Sequence, residues 1–245
     1  MESKIALVTG ALGGIGRAIV RGLLQDGFRV VLVDLHQKAL EEFASTLEPG
    51  KTLPLSCDIT DPKAVEQVVE KVKSVWGPID VLVNNAGILS NHKAVQTTPE
   101  EWRKVMAVNI DGAFYFSRAV MEDMKKKGWG RIVNISSLAA KSGGITAGTA
   151  YTVSKGALIS LTFSLAAELA PYGVTVNGIA PTYVKTAMVT DFLTEEQQKA
   201  LQEKIPVKRF CEPEEIAHTV RFLVHPLAGF ITGEIIDQNG GLHFD

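Results

Sequence analysis

Five short runs of apolar residues recur along the chain: Ile5 to Val8, Val30 to Val33, Val81 to Val83, Ile132 to Ile135 and Val174 to Ile179. Their apolar character is nearly continuous rather than alternating, the pattern of strands buried on both faces of a parallel sheet. Amphipathic stretches such as Pro62 to Trp76 and Glu100 to Met124 separate them, and their spacing predicts helices near 14–26, 36–47, 61–75, 99–126, 149–171 and 212–223. Strands alternating with helices form right-handed βαβ units, which puts helices on both faces of one sheet. The expected fold is therefore α/β, a doubly wound parallel sheet in a single domain over 1–245. One interval departs from this order. Pro181 to Lys208 is polar at its centre and has its own short helical signal at Glu195 to Lys204. It is expected to be a loop insertion near 182–210 that covers a binding cleft.

Composition narrows the function classes. With 46% hydrophobic, 21% charged and 7% aromatic residues, the 245-residue chain has the make-up of an aliphatic globular core. A net charge of −2 with interleaved signs leaves no basic surface for nucleic acid. The run Lys125 to Lys127, followed by Gly128, reads as the C-terminal end of a helix. Cys57 and Cys211 lie far apart with no Cys/His cluster, so neither a metal nor a disulfide is expected, in keeping with the reduced cytoplasm. No export signal is evident, and no apolar run reaches the roughly 18 residues that a bilayer requires. The helical stretches from Glu100 and Thr149 carry more apolar residues than one stripe, including Phe114, Tyr115, Phe116, Leu158, Ile159, Leu161 and Phe163. Such a surplus predicts burial against another copy of the chain.

The first strand runs directly into Thr9-Gly10-Ala11-Leu12-Gly13-Gly14-Ile15-Gly16, and a helix follows. Glycines at a strand-to-helix turn let the backbone approach a pyrophosphate, whose charge the helix N-terminus favours; a plain tight turn is the alternative. Asp34 ends the second strand about twenty residues on, where a carboxylate can accept hydrogen bonds from the adenosine ribose and would repel a 2′-phosphate. Helix capping is its other reading. Neither Leu35, His36 nor the residue before Gly14 is a cation, so NAD is expected rather than NADP.

Tyr151 and Lys155 stand four residues apart, on one face of a helix. An ammonium near a phenol stabilises the phenolate and draws its pKa towards the range useful for proton transfer. Ser136 and Ser137 follow the strand Ile132 to Ile135 at the carboxyl rim of the sheet, and Asn84-Asn85-Ala86-Gly87 ends another strand at the same rim. Asn109 falls inside the long predicted helix, where a buried amide needs partners.

Thr9-Gly10-x-x-x-Gly14-x-Gly16, Asn84-Asn85-Ala86-Gly87, Asn109, Ser137 and Tyr151-x-x-x-Lys155 together resemble the classical short-chain dehydrogenase/reductase family over nearly the whole chain. The resemblance implies a Rossmann-like fold and hydride exchange between NAD(H) and a small secondary alcohol or ketone. It implies Tyr151 as the acid/base, Lys155 on the nicotinamide ribose, Ser137 on the substrate oxygen, with Ser136 the lesser choice, and Asn109 holding a relay water. It further implies a cofactor site drawn from Gly10, Gly14, Ile15, Gly16, Asp34, Asp58, Ile59, Asn85, Ala86, Gly87, Pro181, Val184 and Thr186, no catalytic metal, and a homotetramer. The tail Ile231 to Asp245 would contribute to one of its interfaces.

Three departures from the family pattern stand out. The interval from Ser137 to Tyr151 is one residue longer than the commonest family spacing, Pro181-Thr182 replaces Pro-Gly, and Tyr172 stands where carrier-linked ketoacyl reductases often carry a basic residue. With Asp34, the last points to a dehydrogenase of free small molecules; a 3-oxoacyl-thioester reductase is the alternative, and a cofactor-sensing regulator a remoter one. Met188, Phe192 and Leu193 are expected either to line the substrate cleft or to pack a helix. Lys141, Tyr183 and Lys185 are candidate contacts for a polar substrate.

Overall fold

The computed structural model describes residues 3–144, 146–186 and 194–244. Seven parallel strands form one sheet: β1 (Ile5–Thr9), β2 (Arg29–Asp34), β3 (Thr52–Ser56), β4 (Val81–Asn84), β5 (Gly130–Ile135), β6 (Val174–Pro181) and β7 (Ile235–Gln238). Their order is β3-β2-β1-β4-β5-β6-β7. The chain works outward from β1 to one edge and then returns to build the other half from β4. This reversal opens a crevice at the carboxyl ends of β1 and β4.

Two apolar clusters, one on each face, explain the unbroken hydrophobic runs. Leu7, Val31, Leu82, Ile132 and Val176 pack with Val72, Phe116 and Leu165 of the helices α3 (Pro62–Val75), α5 (Gly112–Lys127) and α7 (Thr149–Leu169). Their strand neighbours Val8, Leu32, Val83, Val133 and Ile179 pack on the other face with Ile19, Leu40 and Val220 of α1 (Gly14–Gln25), α2 (Gln37–Ser45) and α9 (Pro213–Val224). Successive side chains point to opposite faces, so both must be apolar where both faces are covered.

The structure differs from the sequence-based expectation at the sheet edges and in one helix. Strands β3 and β7 have no counterpart among the five predicted runs. Both are largely half-exposed, and β3 includes Pro54, a residue suited to an edge strand. The predicted helix 99–126 divides into α4 (Pro99–Met106), a π-helical turn at Ala107–Asp111, and α5. Gly128, in the left-handed region at φ 66°, ends α5 after its three lysines, as the sequence indicates. A short α6 (Ala139–Ser142) follows Ser137, and α8 (Glu195–Lys204) carries a capping box at Thr194 and Gln197.

By length and mean hydropathy, 1.3, Thr149–Tyr172 matches a membrane-crossing helix, although no single apolar run does. It packs on β6 and buries Leu158, Leu165 and Leu169, the disposition of a core helix that is apolar on more than one side.

Candidate active site

The glycine turn after β1 is shaped by close approaches. Gly10 has φ +64°, and a Cβ on it would lie 2.8 Å from the Ala86 Cα; one on Gly16 would lie 2.1 Å from the Gly10 carbonyl oxygen. A Cβ on Gly14 would meet Thr186 Cγ2 at 2.8 Å. Side chains are thus excluded from the inner surface of the turn. Helix α1 begins at an extended Gly13 with no side-chain cap, so the N–H groups of its first turn have no side-chain acceptor. An uncapped twelve-residue helix behind a glycine turn fits the pyrophosphate of a dinucleotide.

Asp34 ends β2 beside this turn. Its Oδ2 accepts the Leu12 amide at 3.0 Å and its Oδ1 the Leu35 amide at 2.8 Å. Each oxygen keeps a further lone pair for a ribose hydroxyl. Among the described residues no cation pairs with Asp34; Arg17, in the first turn of α1, donates from Nε to the Leu12 carbonyl and stacks 4.3 Å over Phe43. Asp58 accepts the Thr60 hydroxyl at 2.7 Å and its amide at 2.9 Å, and these bonds hold its carboxyl below the usual range. The Ile59 side chain is buried against Gly112, so this residue can offer a ligand only its backbone.

The end of β4 is tied to the glycine turn. The Asn85 side chain donates to the carbonyls of Thr9 and Gly10 at 2.9 and 3.0 Å, while the amides of Asn85 and Ala86 both donate to the Thr9 hydroxyl. Sequence reasoning gave Asn84 no role of its own. Its amide donates to Asn134 Oδ1 at 2.8 Å and to the Ser117 hydroxyl, and Asn134 in turn donates to Thr162 at 2.9 Å. This buried chain joins β4, β5, α5 and α7 behind the site. Apolar neighbours on both sides were the only sequence signal for it.

Asn109 is 1% exposed and lies in the π-turn. Its Oδ1 accepts the Ile88 amide at 2.8 Å, and its Nδ2 donates to the Ile88 carbonyl and the Ser154 hydroxyl, each at 3.0 Å. A single-turn π-helix inside an α-helix commonly marks a functional position. A Cβ on Gly87 would lie 3.2 Å from Lys155 Nζ and 3.3 Å from Asn109 Oδ1, so the glycine leaves room for both polar groups.

Tyr151 and Lys155 rise from the first turns of α7, and Ser137 follows β5. Ser137 lies near enough to the Tyr151 phenol to draw its pKa down through a side-chain hydrogen bond. Ser137 Oγ also accepts the Ala139 amide at 3.1 Å, whereas Ser136 donates to the Lys155 carbonyl and is buried, a strand-end role. Lys155, 4% exposed, donates from Nζ to the Ile135 carbonyl at 2.8 Å and lies 5.8 Å from the centre of the Tyr151 ring. Burial depresses its ammonium from 10.5 to about 8. The expectation of an acidified phenol does not hold for the ligand-free chain: burial raises the Tyr151 pKa, and only the Ser137 bond opposes the rise. The ammonium is engaged with a backbone carbonyl, one helical turn away.

Pro181 closes β6 and accepts the Leu138 amide at 2.8 Å. Val184 pairs with Cys211 in an isolated parallel bridge, and Thr186 lies against Gly14 across the rim. Lys141 and Lys185 are ion-paired with Asp237 and Glu212, at 2.6 and 3.1 Å, while the Tyr183 hydroxyl meets Thr146 at 3.1 Å. Met188, Phe192 and Leu193 lie outside the described residues. The extra residue between Ser137 and Tyr151 is accommodated by α6 and by Gly143 and Gly144, both at positive φ.

A family model described as Enoyl-(Acyl carrier protein) reductase matches residues 10–243. The 3-oxoacyl-[acyl-carrier-protein] reductase of Haemophilus influenzae is 38% identical over 99% of both chains. Nodulation protein G of Azospirillum brasilense is 39% identical over the full length of both. A crystal structure of 3-oxoacyl-[acyl-carrier protein] reductase from Brucella melitensis superposes with a TM-score of 0.94 at 33% identity, covering all of this chain and 92% of the other. Matched in sequence and fold from the glycine turn to the C-terminal tail, the chain belongs to the classical short-chain dehydrogenase/reductase family and is 3-oxoacyl-reductase-like.

Proposed function

We propose that this chain is an NAD(H)-dependent oxidoreductase that interconverts a 3-oxoacyl thioester and the corresponding 3-hydroxyacyl thioester. The observation that carries the chemistry is the convergence of Ser137 on the Tyr151 phenol, whose pKa it draws down against burial, with Lys155 buried one turn behind. The names of the relatives support the substrate class, and Asp34 supports NAD(H) over its 2′-phosphorylated form.

Gly10, Gly14, Ile15 and Gly16 would hold the pyrophosphate, Asp34 the adenosine ribose, and Asp58 with the Ile59 backbone the adenine. Asn85, Ala86, Gly87, Pro181, Val184 and Thr186 would border the nicotinamide half. When bound, the nicotinamide supplies or accepts a hydride at the carbon bearing the substrate oxygen. Ser137 donates a hydrogen bond to that oxygen and fixes its direction. Tyr151 gives up its proton as the ketone is reduced and takes it back in the reverse sense. Lys155 would bind the nicotinamide ribose and, as a cation, offsets the burial that disfavours the phenolate. Asn109, beside Lys155 above Gly87, anchors the water that returns the proton to solvent.

A second reading, a dehydrogenase of free secondary alcohols, is favoured by Tyr172. It is 48% exposed where a cation would help to dock an acidic carrier, and the lysine 5.4 Å from its ring, Lys125, is already ion-paired with Glu122 and Glu168. Phe114 and Phe163 are exposed on α5 and α7, which supports self-association through these helices, with a homotetramer in the cytoplasm as the proposed state.

Initial rates with acetoacetyl thioesters and with free ketones, each with NADH and NADPH, test the reading. NADH-driven thioester reduction is expected, and turnover of free ketones alone overturns the substrate class. Tyr151→Phe should lower turnover by roughly 100- to 10,000-fold while leaving NADH affinity unchanged. Near-normal turnover by this variant would remove Tyr151 from the chemistry.

A further inference from the structure

We infer that Lys93 is a positioning residue that holds the wall of the substrate cleft in its working shape. The ammonium of Lys93 donates to the carbonyls of Gly144 and Ala147, both at 2.7 Å. Both carbonyls belong to the connection between α6 and α7, three residues apart, so one side chain ties the two points together in a ring. The backbone beside Lys93 joins in: the Ser90 carbonyl accepts the Gly148 amide at 2.6 Å, and the His92 carbonyl accepts the Thr149 amide at 3.0 Å.

This strap is itself anchored. Glu101, in the first turn of α4, accepts the Ser90 hydroxyl at 2.5 Å and meets His92 Nδ1 at 2.8 Å. The two bonds hold the Glu101 carboxyl below its usual range. Contact is close at Gly148 and at Gly144. A Cβ on Gly148 would lie 2.6 Å from the His92 carbonyl oxygen, and one on Gly144 would lie 2.1 Å from the Thr152 hydroxyl oxygen. Thr152 adjoins Tyr151, and Thr146, inside the ring, meets the Tyr183 hydroxyl on the facing segment after β6.

The electrostatic setting is informative. Ala147 immediately precedes Gly148, the N-cap of α7, where the helix dipole disfavours a cation. Two carbonyl acceptors at 2.7 Å compensate for that position. Glycines at 143, 144 and 148 leave the segment with many accessible conformations, and Lys93 selects one of them. Ordering a wall before substrate arrives lowers the entropic cost of binding, so the effect belongs in KM more than in kcat.

The inference rests on the proposed use of the Ser137–Gly148 segment as the substrate wall. Lys93→Met is expected to raise KM about tenfold while kcat changes by less than about twofold. NADH affinity should be unchanged. Lys93→Arg, which can still donate to two carbonyls, should recover most of the loss. Amide hydrogen exchange of residues 146–149 should speed up in the Met variant without any substrate, so this readout survives if 3-oxoacyl thioesters prove to be the wrong substrate. Unchanged KM and exchange overturn the inference. So does a parallel loss of kcat, KM and NADH affinity that Arg fails to rescue, since that pattern reports general destabilisation.

Discussion

Replacing Lys155 with Met should stabilise the ligand-free protein while removing its activity. The buried ammonium titrates near 8 instead of 10.5 because burial disfavours its charge. At ~1.4 kcal/mol per pH unit, holding that charge in the folded chain costs on the order of 3 kcal/mol at pH 7. Against this, the substitution removes the hydrogen bond from Nζ to the Ile135 carbonyl, which is worth about 2 kcal/mol while the donor is charged and about 1 once it is neutral. Met fills a similar volume, leaving the variant ahead by about 1 kcal/mol at neutral pH. The sign of the pH dependence follows from proton counts. Between about 8 and 10.5 the folded wild type has released the proton while the unfolded chain still holds it, so wild-type stability rises with pH. Below about 8 the full cost remains. The lead of Lys155→Met should therefore be largest at pH 7 and fall close to zero by about pH 10. Urea unfolding at both pH values measures it. A variant less stable than wild type at pH 7, or a lead that does not change with pH, would refute the reasoning.

Two further outcomes follow from the same geometry. Asp34→Ser removes the carboxylate facing the ribose and should shift preference towards NADPH by about tenfold, read as the ratio of kcat/KM for the two cofactors; an unchanged ratio would show that Asp34 serves only the Leu12 and Leu35 amides. Asn109→Ala strips partners from both polar groups of Ile88 and should destabilise the fold by about 3 kcal/mol in urea titration, with no loss at all counting against the buried-amide account.

The central strands and the catalytic spacing were legible because each depends on one strong local signal. Val30 to Val33 and Val81 to Val83 are apolar on consecutive positions only because helices cover both faces of the sheet. Tyr151 and Lys155 share a helix, so their separation alone brings them to one face. Strand β3 lacked such a signal: at an edge, half-exposed and containing Pro54, it is ordered by pairing with β2, which is a tertiary effect. The π-turn around Asn109 was hidden for the same reason. Its extra residue per turn responds to Ile88 and Ser154, which lie 21 and 45 residues away. Lys93 gave no warning in the sequence, since a lone lysine in a polar stretch has the look of a solvated charge.

The parallel bridge between Val184 and Cys211 has an engineering consequence. The Cys211 amide donates to the Tyr183 carbonyl and the Lys185 amide to the Cys211 carbonyl, at 3.0 and 2.8 Å, so both ends of the intervening excursion are clamped together at the sheet rim. Lengthening an excursion closed at its base adds entropy slowly, about 0.6 kcal/mol per doubling. Insertions placed between Thr194 and Lys204, away from Thr186 and the buried Ile205 and Phe210, should therefore cost the fold little, and offer a place through which chimeras could acquire new selectivity.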